Sequence, residues 1–262
     1  MTDTMARGSL TTSTDGAPTR RGPAYAVIAE CLRIQSTARR QSRLAWLFGR
    51  DPILPDARSW YRGAIGEIQV AKTLGALSPG WTVLYNLDGS PEASILIVGP
   101  AGAFTIATRN HSRQRVVVGA DQLLVNGHRT HHIRDARYEA RRLSHLLGVV
   151  VTPIIAVVDP AALTITERAD GVEVLVSSQL AGFIARRKPR LTDDTVASLV
   201  ERAGLDGSWS ADVVDETLVH EARFARLKGD VGSALHRRMV WIGLAGFSVP
   251  MVVVTSRLLG SA

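Results

Sequence analysis

Cysteine, aromatic residues and an apolar N-terminal run are what this sequence has least of. A single cysteine, Cys31, in 262 residues excludes an intramolecular disulfide and any CxxC zinc ligand pair, and it fits a reducing compartment. Aromatic residues make up 5% of the chain, too few to suggest the stacking platforms on which single-stranded nucleic acid is bound. The first residues carry no apolar run behind a basic region, so no signal peptide is expected. The turn Gly99-Pro100-Ala101-Gly102 lacks the lysine and following helix of a phosphate-binding loop. His128, His131 and His132 have no histidine or cysteine partner at ligand spacing and read as surface residues. No Ser-His-Asp arrangement can be inferred from spacing.

Positive charge is present in excess. The formal net charge is +7 and the isoelectric point near 10.3, a balance suited to nucleic acid or an anionic lipid surface. Residues 1–23 are Thr, Ser, Gly, Pro and Arg with little that is apolar, and are expected to be disordered. Residues 24–57 hold a basic amphipathic helix, 25–48, followed by a Pro-containing linker; such a helix can dock on its own domain, a partner or a membrane. A domain is expected over 58–203. It opens with a helix over 58–77, in which Tyr61, Ala64, Ile68, Ala71 and Leu74 form one apolar stripe with Glu67 beside it.

Strands are expected at 81–87, 94–98, 103–109, 115–118, 123–125 and 128–132, the last two joined by Asn126-Gly127, a strong hairpin signal. Asp135 is read as the cap of a helix that ends at Gly148. The continuous apolar run 149–158 suits a strand covered on both faces. Strands at 163–167 and 172–176 and helices at 179–187 and 193–203 complete the pattern. The order implies an α/β fold with a mixed central sheet flanked by helices.

Beyond residue 203 the character changes. Residues 204–238 form a charged connector. Residues 239–256 contain no charged side chain. At 1.5 Å per residue that run is close to the minimum for a bilayer core of about 30 Å. Gly243, Gly246 and Pro250 are better tolerated in lipid than in a soluble helix. Arg237 and Arg238 precede the run and Arg257 alone follows it, so the expected topology is a single-pass cell-membrane helix with the N-terminal domain cytoplasmic and a short tail, 257–262.

The stretch 94–110, SILIVGPAGAFTIATRN, is two apolar strands around a Gly/Pro turn. With Gly63-Ala64-Ile65-Gly66-Glu67 ahead of it and Leu123-Leu124-Val125-Asn126-Gly127 and the helix 136–147 behind, it resembles the nuclease-related domain family, NERD, from about residue 60 to 188. Ile97-Val98-Gly99-Pro100 and Gly102-Ala103-Phe104 are similar to that family's central hairpin. The resemblance implies a restriction-endonuclease-like fold and a Mg²⁺-dependent phosphodiesterase site, in which an Asp precedes the first strand and Glu-x-Lys ends the second. Here those positions are Ser94, Ala107 and Arg109, leaving Glu67 alone of the acidic set.

A hydroxyl and a methyl group cannot replace anionic oxygen ligands. Arginine keeps a positive charge but cannot serve as a base. The expectation is therefore a membrane-anchored domain whose catalytic site is degenerate, with no cofactor, acting in nucleic-acid binding or protein interaction. Arg109, His111, Arg113, Arg115, Arg137 and Arg141 are the candidate contacts to a phosphate backbone, DNA being the candidate partner. Two alternatives are an active Mg²⁺-dependent nuclease with relocated ligands such as Asp88 and Glu92, and a membrane-associated scaffold acting through the basic helix 25–48.

Overall fold

The computed structural model describes residues 22–39, 42–85, 94–205 and 213–259, in the last stretch with side chains over 218–244. Seven helices and nine strands are found there: α1 (Tyr25–Gln35), α2 (Arg43–Leu47), α3 (Arg58–Leu74), β1 (Thr82–Leu84), β2 (Ile95–Gly99), β3 (Gly102–Asn110), β4 (Arg115–Val118), β5 (Leu123–Val125), β6 (His128–Thr130), α4 (His132–Leu147), β7 (Val151–Val158), β8 (Ala162–Ile165), β9 (Glu173–Val176), α5 (Leu180–Ala185), α6 (Asp193–Leu205) and α7 (Val213–Leu259).

Hydrophobic alternation sets the layers. The main sheet runs β1-β2-β3-β7-β9, with β1, β2 and β3 antiparallel and β3, β7 and β9 parallel. Ile95, Ile97, Phe104, Ile106, Ile154 and Ala156 point to one face, where Val70 and Leu74 of α3 and Leu180 and Ile184 of α5 cover them. Leu96, Val98 and Ala103 point to the other, against Leu143 and Leu147 of α4 and Leu199 and Ala203 of α6. Because β2, β3 and β7 are buried on both faces, they read as nearly continuous apolar runs.

One central sheet was expected, and there are two. The second runs β6-β5-β4-β8, with β4 and β8 parallel. The parallel pair β3/β7 breaks and resumes as the parallel pair β4/β8. The break has a backbone cause: Arg113 and Asp159 both take left-handed conformations, at φ 61° and 44°. The Arg113 amide donates to the Asp159 carbonyl at 3.0 Å. Neither residue is glycine, so the sequence gives no turn signal at that level.

Two expected helices also change. The stretch 25–48 is not one helix: α1 ends at Gln35 and α2 is a separate short turn capped by Ser42. Val27, Ile28 and Cys31 are buried against Ala57 and Ala64 and against Phe224 and Leu227 of α7, so the apolar face of α1 is spent inside the molecule. Correspondingly, α3 is covered on two sides. Ala64 and Ile68 face α1 and α7, while Gly66, Val70 and Leu74 face the sheet side. The segment 213–238 is helical and joins the core through Phe224, Leu227 and Ala234.

Among the described residues no helix is long and apolar enough to cross a membrane. The spanning helix expected over 239–256 therefore has no support in the structure, and the side chains beyond residue 244 lie outside the described residues. So do residues 1–21 of the expected disordered segment, and Asp88 and Glu92.

Candidate functional site

The site builds up where α3 crosses the C-terminal end of β3. Gly66 allows that approach, since a Cβ there would stand 3.2 Å from Asn110 Cβ and 3.3 Å from Thr108 Cγ2. Asn110 then ties the strand end to the helix by donating from Nδ2 to the Arg62 carbonyl at 2.7 Å. On the antiparallel pair β2/β3, Ile95 lies opposite Ile106. Ser94, one residue earlier, therefore stands opposite Ala107. The expected site positions Ser94 and Ala107 are thus neighbours, and Arg109 follows two residues on. Ala107 packs among Val116, Ile133 and Ala136, an apolar setting.

Glu67, next to Gly66, is mostly withdrawn from water. Burial pushes its carboxyl up to about 7, although the nearby Arg109 guanidinium and a hydrogen bond from the Ala24 backbone amide favour the charged form. Ala24 donates from a left-handed conformation, φ 61°, at the start of α1. Tyr85, beyond β1, has its phenol raised to about 12 by burial and by the charge of Glu67. Desolvation outweighs attraction at this glutamate.

Arg109 is held in place. Its Nε donates to His132 Nδ1 at 3.1 Å and its Nη1 to the Thr108 carbonyl at 3.1 Å. His132 is lowered to about 3 by burial, by Arg109 and by His111 and His131. It is therefore neutral, with the proton on Nε2, because Nδ1 accepts from the arginine. His111 lies beside it, ring centroids 5.3 Å apart, and burial lowers its pKa too. His111 Nδ1 is 3.2 Å from Gln114 Oε1, and its buried Nε2 has no partner among the described residues.

The spacing argument had placed His132 on the surface before a helix capped by Asp135. Instead α4 begins at His132, Asp135 lies in its first turn, and His132 faces the site. The signal that would have found it is Ile133, a buried apolar residue three before Ala136 on the same helical face.

The other basic candidates divide. Arg113 and Arg115 are exposed and line an open surface hollow with Asn126 and Gly127. Arg141 is exposed on α4. Arg137 is occupied structurally: it donates to the Asp170 carbonyl at 2.7 Å and to Asp121 Oδ1 at 3.1 Å. It clamps two loops, and only about a quarter of its side chain is exposed, 23%.

Electrostatically, the site holds one fixed guanidinium, two neutral imidazoles and one glutamate poised between its charged and neutral forms. A hard divalent cation needs several anionic or carbonyl oxygens. Among the described residues no group of three or more His, Cys, Asp or Glu is placed to hold a metal ion. Among the described residues the donor set around Arg109 does not fit Mg²⁺, and the guanidinium repels it. The same set suits an anion such as a phosphate diester through the permanent charge of the guanidinium.

Residues 62–158 match the family model of the nuclease-related domain, NERD. The match begins within α3 ahead of Glu67 and ends with β7 at Val158, so that Ala24 and Asp170 lie outside it. No curated protein and no solved structure matches the chain.

Proposed function

We propose that this chain is a nuclease-related module that binds the phosphate backbone of nucleic acid without cleaving it, and that is attached to the membrane through residues 239–256. The observation that carries the first part is the Arg109–His132 hydrogen bond at the end of β3. It fixes a permanent cation beside Ser94 and Ala107, where a metal-dependent nuclease requires carboxylates. Arg113 and Arg115 extend the positive surface outward from that point, and Arg141 adds to it. Such contacts give affinity with little sequence preference and with strong salt dependence.

Membrane attachment is supported by the uncharged run 239–256 and by the arginines before it, Arg237 and Arg238, which favour a cytoplasmic face for the domain. For the competing scaffold reading through 25–48, the apolar residues of α1 are buried against α3 and α7, which leaves only the α2 part of that stretch with exposed apolar side chains.

Two measurements test the reading. Fluorescence anisotropy of the full chain with labelled duplex DNA is expected to show binding that falls steeply with salt and depends little on sequence. Absence of binding, or binding indifferent to salt, would refute it. In the second, alkaline extraction of membranes is expected to leave the chain in the pellet, and release into the supernatant would overturn the attachment.

A further inference from the structure

The turn formed by α2 clasps α7 at the level where the uncharged run begins. Trp241 Nε1 donates to the Leu47 carbonyl at 2.9 Å, and Arg237 Nε donates to the Trp46 carbonyl at 2.8 Å. The Arg237 guanidinium also lies 4.2 Å from the centre of the Trp46 ring, and Phe48 meets Trp241 at 5.0 Å. Gly49, at φ 66°, brings the backbone against Ala234 and Arg238 so closely that a Cβ there would strike the α7 backbone. This short segment is thus fixed to the helix by side-chain and backbone geometry.

What it presents outward is apolar. Leu44 is 68% exposed, Trp46 55%, Phe48 54% and Met239 61%, with Leu235, Val240, Ile242 and Leu244 exposed beside them. Over 42–50 and 234–244 the charged side chains are Arg43, Arg50, Arg237 and Arg238, and neither segment contains Asp or Glu. A protein-binding patch rimmed by both signs of charge would look different. Tryptophan and phenylalanine at one level, surrounded by arginines and continuous with an uncharged run, match the interface of a bilayer, whose headgroups take the indole rings and cations while the acyl boundary takes the aliphatic side chains.

We infer that α2 and the adjoining turn of α7 form a collar that seats in the headgroup layer of an anionic membrane, fixing the height and tilt of the domain above it. The inference rests on the membrane attachment proposed above and adds a second, lateral contact to it.

The test uses the full chain with phosphatidylcholine vesicles, with and without phosphatidylglycerol, some carrying acyl chains brominated near the headgroup. The Trp46 emission, taken as the difference between the wild type and Trp46→Phe, is expected to be quenched by bromolipid. The double variant Arg43→Gln/Arg238→Gln is expected to weaken the preference for anionic vesicles about thirtyfold, from ~1 kcal/mol per basic side chain at such a surface. Leu44→Asp, at an exposed position, is expected to abolish the Trp46 quenching without changing the circular dichroism. A chain that pellets with vesicles while its Trp46 emission is unaffected by bromolipid would overturn the collar and leave the attachment standing. A chain that does not associate with vesicles would overturn both. Trp46 emission that shifts with protein concentration in the absence of lipid would assign the patch to self-association and equally overturn the collar.

Discussion

Glu67 offers the sharpest quantitative handle on the site. Its carboxyl titrates near 7 in the folded chain, against 4.5 for the free group. The folded pKa is the higher of the two, so between pH 4.5 and 7 the folded state holds a proton that the unfolded state has released. Stability must then fall as pH rises through that window and level off above 7. At about 1.4 kcal/mol per pH unit, the rise from 4.5 to about 7 corresponds to ~3 kcal/mol lost between pH 4 and pH 8. Glu67→Gln keeps the shape and cannot ionise. It is expected to match the wild type near pH 4.5 and to exceed it by ~3 kcal/mol at pH 8, the hydrogen bond from Ala24 and the attraction of Arg109 being already contained in the raised pKa. Thermal unfolding of both full-length proteins in the same detergent, at intervals from pH 4.5 to 8.5, isolates the difference, since all other titrating groups cancel. Parallel curves would refute burial as the dominant influence on Glu67. A wild type that gains stability relative to the variant as pH rises would show that the attraction of Arg109 dominates instead.

Other consequences can be checked independently. Gly99→Ala would drive a methyl group into the Trp81 indole; the expected cost is about 2–3 kcal/mol in chemical denaturation, and an unchanged midpoint would disprove the packing. Arg113→Ala/Arg115→Ala is expected to lower the slope of log affinity against log salt by about 2 for duplex DNA, whereas Arg137→Ala should act on stability, its guanidinium being engaged with Asp121 and Asp170. Cys31, fully buried and with its thiol pushed up to about 11, is expected to resist thiol reagents at pH 8 until the chain is denatured; rapid labelling of the native protein would mean that α1 does not stay docked on α3 and α7.

The parts of this fold that local pattern controls were open to reading from the residues. The hairpin 95–110 announces itself through β-branched runs around Gly99-Pro100, and α3, α5 and α6 through apolar periodicity. The Gly66–Glu67 pair marked the helix that approaches β3. What escaped depends on contacts between distant residues. The second sheet arises because Arg113 and Asp159, 46 positions apart, adopt left-handed backbone at one level, and no residue type advertises that. The docking of α1 against Phe224 and Leu227 joins segments nearly 200 residues apart. His132 was misread because spacing alone cannot tell a surface histidine from one whose neighbour, Arg109, reaches it across 23 residues. At the site itself, the sequence pattern pointed to Ser94, Ala107 and Arg109, but the hydrogen bond between Arg109 and His132 was not readable from it.

The central claim is that a fixed guanidinium has replaced the metal chemistry of the nuclease-related domain. Incubating the full chain with supercoiled plasmid and Mg²⁺ or Mn²⁺, beside Glu67→Ala, tests it most directly. The account predicts that the plasmid is bound and stays supercoiled with both proteins. Nicking or linearisation by the wild type that disappears with Glu67→Ala would contradict it.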